Sequence, residues 1–203
     1  MAAYAFDMGL PLLGAVDDGR TAGPWGGSRI LGGLTQLPEV VRAHGELSFI
    51  TAFGSNSLRR TISQKVEAFG LAGLKTLTMQ HTSAWVGTEV EIGAGTLLAP
   101  SVILTTRVRV GRHCILNVKA SVSHDCVIGD FVNINPAATL CGNVTVGDGA
   151  FIGAGAVVKE KIVIGRGAIV GAGAVVICDV PDGATVVGVP GRVIKQASVD
   201  WLA

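Results

Sequence analysis

The stretch V-G-T-E-V-E-I-G-A-G-T-L (residues 86–97) opens a six-residue repeat that continues without a break to residue 181. Each unit begins with a branched aliphatic residue, and its fifth position carries a mostly small residue. A period of six with one large and one small inward residue suits a short strand followed by a tight turn, and it excludes a helix of about 3.6 residues per turn. The first positions are Val86, Ile92, Leu98, Leu104, Val110, Leu116, Val122, Ile128, Ile134, Leu140, Val146, Ile152, Val158, Ile164, Val170 and Val176.

Three such units close one triangular coil, and stacked coils form a parallel β-helix. Equivalent positions of successive coils therefore have numbers that differ by 3 × 6 = 18. Since the repeat holds 16 units, the sequence predicts about five coils. Glycine recurs at the second and fourth positions, as in Gly87, Gly93 and Gly95, where we expect it to supply the backbone freedom of the corners. The period does not determine the handedness of the helix.

Composition limits the function classes. The chain has 203 residues, 49% of them apolar, and 16 Lys+Arg against 15 Asp+Glu give a net charge of +1. Such a chain buries enough apolar surface to fold, and its near-neutral charge offers no basic stripe for nucleic acid. Its apolar runs are too often interrupted to span a membrane, and the first residues have no basic signal-peptide region. We therefore expect a cytoplasmic protein without nucleic-acid or membrane partners.

The four cysteines, Cys114, Cys126, Cys141 and Cys178, form no C-x-x-C pair and have no zinc-ligand spacing. Cys114 and Cys126 fall at inward positions of the repeat. We therefore expect buried, reduced thiols rather than a disulfide framework.

Residues 1–80 lack the repeat and predict a small α/β domain. Helices are expected at 37–44 and 57–70, the second with an apolar face of Leu58, Ile62, Val66 and Phe69 and with Gly70 as its stop. Strands are expected at 47–54 and 74–79. The predicted domains are the α/β domain at 1–80, the β-helix at 81–195 and a C-terminal tail at 196–203.

Several motifs carry a family resemblance, and they lie at residues 17–18 (D-D), 53–60 (F-G-S-N-S-L-R-R), 81–84 (H-T-S-A), 122–130 (V-S-H-D-C-V-I-G-D), 140–153 (L-C-G-N-V-T-V-G-D-G-A-F-I-G) and 186–192 (V-V-G-V-P-G-R). With the repeat, they make the chain resemble the hexapeptide-repeat acyltransferases, in particular the sugar O-acyltransferases related to sialic acid O-acetyltransferases. That group includes N-acetyltransferases of UDP-4-amino-sugars. The resemblance implies a left-handed β-helix and a homotrimer with active sites between its prisms. It also implies direct transfer of an acetyl group from acetyl-CoA, without a metal, to an amino or hydroxyl group of a nucleotide-linked sugar.

The N-terminal domain departs from this family. Members open with a strand and a Gly-rich turn ahead of the Asp-Asp strand, whereas only 16 residues precede Asp17 here and none forms that turn. We expect a Rossmann-like subdomain without this unit, either because the start lies upstream of Met1 or because the domain is reduced. The resemblance assigns Asp17 and Asp18 to the nucleotide-sugar, while a strand-end turn explains them equally well. The later glycines, Gly23, Gly26, Gly27, Gly32 and Gly33, are expected in a loop.

His124 is the candidate general base, because imidazole changes protonation near neutral pH and the adjacent Asp125 can orient the ring. Since 124 + 18 = 142, Gly142 should lie one coil further along the same corner. A glycine there would admit a thioester, and its N–H could stabilise an oxyanion. The resemblance gives the histidine and the glycine these same roles. Spacing alone also fits a surface histidine and a corner glycine.

The remaining candidates rest on the resemblance. Asn117 matches an asparagine of the acceptor pocket, and Asn133 stands where relatives often carry a second histidine that reaches toward the cofactor. Asn133 can hydrogen-bond but has no titratable proton. Gly142 and Ala154 permit close approach of the cofactor's pantetheine arm, and Arg166 and Arg192 are candidates for its phosphates. Ordinary surface roles remain open for each of them.

Two other functions compete with acetyl transfer. Zinc carbonic anhydrases share this fold but need three converging histidines, whereas only His113 and His124 lie inside the repeats, at a spacing that is not a multiple of six. A trimeric scaffold or sugar-binding protein without catalysis is favoured by Asn133 and the missing glycine unit. The set of His124, Asp125 and Gly142 favours an enzyme.

Overall fold

The computed structural model describes residues 1–202 and places an α/β region ahead of a parallel β-helix. The N-terminal elements are α1 (Ala2–Asp7), β1 (Ala15–Val16), β2 (Gly23–Trp25), β3 (Ser28–Gly32), a 3-10 turn (Leu34–Gln36), α2 (Leu37–His44), β4 (Leu47–Phe49), α3 (Asn56–Ala68) and β5 (Leu74–Thr76). Strands β4 and β5 pair in parallel across α3, which is the alternation of strand and helix that the sequence predicts. The other three strands form a separate small sheet in the order β1–β3–β2.

The glycine-rich segment after Asp18 is a β-hairpin rather than the expected loop. Strands β2 and β3 pair antiparallel, with Gly23 opposite Ile30. The two residues between them, Gly26 and Gly27, have φ of +50° and +77°. A two-residue hairpin turn with positive φ at both positions favours a Gly-Gly pair. The expectation was wrong because the pair marks a tight turn between two very short strands.

The repeat forms the left-handed parallel β-helix that the sequence and the family resemblance predict. Each strand pairs with the strand three hexapeptides further on, as Ile103 pairs with Ser121, so the predicted coil length is confirmed. The strands are Met79–Gln80 (β6), Trp85–Val86 (β7), Glu91–Ile92 (β8), Leu97–Leu98 (β9), Ile103–Leu104 (β10), Arg109–Val110 (β11), Ile115–Leu116 (β12), Ser121–Val122 (β13), Val127–Ile128 (β14), Asn133–Ile134 (β15), Thr139–Leu140 (β16), Thr145–Val146 (β17), Phe151–Ile152 (β18), Val157–Val158 (β19), Val163–Ile164 (β20), Ile169–Val170 (β21), Val175–Val176 (β22), Ala184–Val187 (β23) and Arg192–Gln196 (β24).

These strands make the three faces of a prism. The first face contains β7, β10, β13, β16, β19 and β22, and the second contains β8, β11, β14, β17 and β20. The third face runs from β6 through β9, β12, β15, β18 and β21 to the C-terminal hairpin β23–β24.

Each face is followed by a corner that recurs once in every coil. The first corner comprises residues 87–89, 105–107, 123–125, 141–143 and 159–161. The second comprises residues 93–95, 111–113, 129–131, 147–149 and 165–167. The third comprises residues 99–101, 117–119, 135–137, 153–155 and 171–173.

The interior of the prism is aliphatic, as predicted. First-position residues from Leu98 to Val176 are at most 4% exposed. Cys114 and Cys126 are free and fully buried among them. Burial raises the pKa of the Cys114 thiol to about 12, so this residue is an uncharged part of the core.

The corner glycines serve two different purposes. Fourth positions adopt positive φ, at Gly95 (+79°) and also at non-glycine residues such as Arg107 (+53°) and Asp125 (+60°). At the second position, a Cβ on Gly93 would lie 2.5 Å from the carbonyl carbon of Gly111 in the next coil. The expectation of backbone freedom therefore holds for the fourth position, whereas close approach of the stacked coils explains glycine at the second.

The C-terminal segment folds back onto the second corner. It ends in a 3-10 turn, Asp200–Leu202, in which Leu202 is buried. The Nη2 of Arg166 donates to the carbonyl of Leu202 at 3.0 Å, and Arg60 donates to the carbonyl of Trp201. Within residues 1–202, no helix is both long and apolar enough to cross a membrane.

Candidate active site

His124 and Asp125 occupy the turn that follows β13, on the first corner. The Nδ1 of His124 lies 2.7 Å from Oδ2 of Asp125. Because a carboxylate only accepts hydrogen bonds, this contact holds the ring proton on Nδ1 and leaves the Nε2 lone pair free. The His124 side chain is 54% exposed, so Nε2 can reach a bound substrate.

Gly142 lies directly beneath this imidazole, as the spacing of one coil predicts. A Cβ added to Gly142 would lie 2.6 Å from both Cε1 and Nε2 of His124. The backbone connects the two coils, since the Asn143 N–H donates to the His124 carbonyl at 2.9 Å. Within residues 1–202, the Gly142 N–H has no protein acceptor, so this donor is available beside the candidate base.

Asp125 has a second partner that the sequence analysis did not single out. Arg107, one coil earlier on the first corner, donates from Nε to Oδ1 at 2.7 Å and from Nη2 to Oδ2 at 3.1 Å. These hydrogen bonds, followed by that of His124, lower the pKa of the Asp125 carboxyl to about 2. The subtraction 125 − 18 = 107 identifies this neighbour once the coil length is known.

A separate groove lies on the first corner, one and two coils toward the N-terminus from His124. Its lining includes the half-exposed indole of Trp85, the residue Thr105 and the side chains of Thr88 and Thr106. The hydroxyls of Thr88 and Thr106 lie 3.0 Å apart. Within residues 1–202, the buried Oγ1 of Thr105 has no hydrogen-bond partner. The groove therefore presents an aromatic surface beside hydroxyl groups.

The other candidates do not meet His124 within one chain. Asn117 and Ala154 lie on the third corner, where Oδ1 of Asn117 accepts from the Val118 N–H at 2.8 Å. Arg166 lies on the second corner and holds the C-terminal segment. Arg192 is exposed in β24, and its Nη1 donates to the Gly191 carbonyl at 3.0 Å. One strand of the prism separates neighbouring corners, so within one chain these residues do not share a site with His124.

Asn133 lies under the N-terminal region rather than beside His124. It points outward from the third face but is only 3% exposed. Its Nδ2 donates to the Gly54 carbonyl at 2.7 Å, and within residues 1–202 its Oδ1 has no partner. The loop before α3 covers this position, and a contact of Asn133 with the cofactor stays a prediction.

The two aspartates at the end of β1 have local partners. Oδ1 of Asp17 accepts from the Gly19 N–H at 2.8 Å, and its Oδ2 lies 3.3 Å from Nε of Arg20. Oδ1 of Asp18 accepts from the Leu34 N–H at 2.6 Å. The strand-end turn expected as the alternative is therefore present, and a role in nucleotide binding stays a prediction.

The F-G-S-N-S-L-R-R motif attaches the N-terminal region to the second corner. Arg59 is fully buried, and its guanidinium donates to the carbonyls of His113 (2.7 Å), Phe53 (2.9 Å) and Phe131 (2.8 Å). Asn56 donates to the carbonyls of Gly149 and Ala150 at 2.8 and 3.0 Å.

The predicted apolar face of α3 is correct in part, since Val66 is buried and Ile62 packs against the same cluster with α2. Leu58 and Phe69 are 43% and 38% exposed, whereas Arg59 and Ser63 are buried. The helix turns a polar side to the prism because the corner there presents backbone carbonyls, which need donors.

His113 belongs to the same attachment and is remote from the candidate base. It is 1% exposed, stacks on Phe131 with ring centroids 5.2 Å apart, and lies 3.3 Å from both Ser63 Oγ and Glu67 Oε1. Burial lowers the pKa of its imidazole. Because His113 lies on the second corner and His124 on the first, the two do not converge on one metal ion.

The left-handed β-helix of hexapeptide repeats places the chain in the class of hexapeptide-repeat acyltransferases. In agreement, the family described as "Bacterial transferase hexapeptide (six repeats)" matches residues 125–160 and 143–178.

Two solved structures of acetyltransferases are similar to this chain over nearly its whole length. The acetyltransferase domain of PglB from Neisseria gonorrhoeae FA1090, in complex with acetyl coenzyme A, is 30% identical, covers 95% of this chain and 92% of its own, and superposes with a TM-score of 0.83. An alanine variant of GDP-perosamine N-acetyl transferase from Caulobacter crescentus, in complex with CoA and GDP-perosamine, is 31% identical, covers 96% and 90%, and has a TM-score of 0.89. The chain belongs to this family of hexapeptide-repeat acetyltransferases.

A curated relative agrees over a shorter stretch. GDP-perosamine N-acetyltransferase of Escherichia coli O157:H7 is 37% identical over 78 residues, which are 38% of this chain. The match spans about a third of that protein's length, at 34%.

Proposed function

We propose that this protein transfers the acetyl group of acetyl-CoA to the amino group of a nucleotide-linked sugar. The observation that carries the proposal is the position of His124, whose Nδ1 is bound by Asp125 and whose ring covers Gly142. A relative crystallised with CoA and GDP-perosamine, and another crystallised with acetyl coenzyme A, support the choice of donor and acceptor.

His124 acts as the general base of a direct transfer. Its Nε2 takes a proton from the amine as the nitrogen attacks the thioester carbonyl, and a C–N bond forms. The Gly142 N–H donates a hydrogen bond to the oxygen that gains negative charge, which lowers the barrier. When the C–S bond breaks, the imidazolium of His124 returns its proton to the departing thiolate. No acyl-enzyme is needed, since both substrates meet at one corner.

The acceptor occupies the N-terminal side of His124. An indole can stack on a sugar ring, and threonine hydroxyls can exchange hydrogen bonds with its hydroxyl groups. The groove at Trp85 and Thr106 offers both and lies on the corner of His124. Asp17 and Asp18 would bind the nucleotide from the N-terminal region, because carboxylates accept hydrogen bonds from ribose hydroxyls and base amino groups.

The protein works as a homotrimer in the cytoplasm. Asn117 and Ala154 lie on the third corner and His124 on the first, so one chain does not unite them. A cyclic assembly that sets the first corner of one copy against the third corner of the next would complete the acceptor and donor sites. Exposed Ile103 on the first face is available for such a contact.

Calorimetric titration of acetyl-CoA into the purified protein tests the donor site and the assembly together. We expect micromolar binding with one molecule per subunit, and a trimer mass by light scattering. Binding of CoA without the acetyl group should be of similar strength, because the nucleotide and pantetheine provide most of the contacts. A folded protein that binds neither molecule would favour a scaffold and contradict the proposed enzyme.

A further inference from the structure

We propose that Arg107 is a positioning residue for the His124–Asp125 pair: it holds the Asp125 carboxylate in one orientation and limits how strongly that carboxylate favours the protonated imidazole. The inference rests on the proposed function, because it assigns Arg107 to the same base. Arg107 and His124 both lie on the first corner, where Arg107 precedes His124 by nearly one coil.

Arg107 contacts both oxygens of the carboxylate. Nε donates to Oδ1 and Nη2 donates to Oδ2, at 2.7 and 3.1 Å. Oδ2 is also the atom that accepts from His124 Nδ1 at 2.7 Å. A two-point contact fixes the rotation of the carboxylate, so Oδ2 stays directed at Nδ1 and Nε2 stays over Gly142.

The backbone makes the arginine a rigid part of the turn. Its N–H donates to the Thr88 carbonyl at 3.1 Å, and the Asp125 N–H donates to the Thr106 carbonyl at 3.1 Å. Arg107 and Asp125 therefore occupy equivalent positions of successive coils, both with positive φ. Although both side chains are partly exposed, neither backbone can drift relative to the other.

The charges around the imidazole predict the direction of the pH effect. Asp125 touches the ring, Arg107 lies behind Asp125, and Glu89 acts on Arg107 from the preceding coil. Beyond Gly142, the corner carries Lys159, Glu160 and Lys161, all exposed, and Nζ of Lys159 lies 3.7 Å from Oε1 of Glu160. Removing Arg107 deletes a cation and leaves Asp125 to interact with His124 alone, and both changes favour the imidazolium. The base is then protonated up to a higher pH.

The experiment compares Arg107→Ala with a matched control, Arg109→Ala. Arg109 is two residues away on the second face and is 71% exposed. It lines the same depression as Asp125 but pairs with Glu91 at 3.8 Å and donates no hydrogen bond to Asp125. In Arg107→Ala we expect the acidic limb of the kcat/KM profile to move up by about one pH unit and the high-pH plateau of kcat to fall by about tenfold. Arg109→Ala should keep both, and the KM for acetyl-CoA should stay unchanged in both variants.

A substrate-free measurement separates this inference from the proposed function. The NMR titration midpoint of the His124 ring should also move up in Arg107→Ala, whereas Arg107→Lys, which keeps the charge, should return it close to the parent value. If the midpoint shifts but the protein acetylates no acceptor, the positioning role of Arg107 is supported and the proposed acetyltransferase function is contradicted. A midpoint and plateau equal to those of Arg109→Ala would overturn the role of Arg107.

Discussion

His124→Ala is expected to lower kcat for acetyl transfer by about 10²- to 10⁴-fold, the range of general acid–base catalysis. The reason is the free Nε2 above Gly142, which no other imidazole near this corner can replace. Binding of acetyl-CoA should change less than twofold, because Nε2 takes its proton from the acceptor. Release of the CoA thiol at saturating substrates measures kcat, and calorimetry measures donor affinity.

The matched control is His44→Ala. His44 is exposed at the end of α2, so its loss should change neither quantity. Thermal unfolding of both variants should match the parent, since His124 is half-exposed and its removal leaves the aliphatic core intact. If His124→Ala retains parental turnover, the base lies elsewhere and the mechanism is wrong.

Arg59→Leu is expected to lower the free energy of unfolding by about 3–5 kcal/mol. The guanidinium of Arg59 donates hydrogen bonds to buried carbonyls on the second corner and on the loop before α3. Each carbonyl left without a donor costs about 1–3 kcal/mol. Burial lowers the pKa of Arg59 to about 10, so the side chain remains charged at neutral pH. Urea unfolding followed by circular dichroism gives the free energy.

Arg42→Ala is the control, because Arg42 is exposed on α2 and should cost under about 0.5 kcal/mol. Hydrogen exchange locates the effect: α3 should lose protection in Arg59→Leu while β10 to β19 keep theirs. Arg59→Lys should fall between parent and Arg59→Leu, since an ammonium reaches fewer of the carbonyls. Equal unfolding free energies for Arg59→Leu and Arg42→Ala would show that the junction does not depend on this guanidinium.

The β-helix and its corner geometry could be predicted because one inward residue repeats every six positions and every coil consists of three hexapeptides. That register places Gly142 beneath His124 before any coordinates are known, and it places Arg107 behind Asp125 by the same subtraction. The family resemblance rather than the period supplied the handedness, since a period contains no chirality. The roles of His124 and Gly142 in catalysis remain proposals.

The attachment of the N-terminal region could not be predicted in this way. Apolar spacing predicts Leu58 and Phe69 on the buried side of α3, yet the helix faces backbone carbonyls at His113 and Phe131, and a carbonyl has no signature in the sequence. For the same reason the contact of Asn133 with Gly54 was missed. The family resemblance likewise did not reveal that Ala154 and Arg166 lie on different corners, although their separation of two hexapeptides is two thirds of a coil.

The most direct test of the central claim is product analysis after incubating the native protein with acetyl-CoA and a panel of nucleotide-linked amino sugars that includes GDP-perosamine. We expect one thiol released for each sugar that gains an acetyl group, with the acetyl on nitrogen, and no product from the matching sugars that carry hydroxyl in place of the amine. A folded protein that binds acetyl-CoA but acetylates none of these sugars would contradict acetyl transfer to a nucleotide-linked amino sugar.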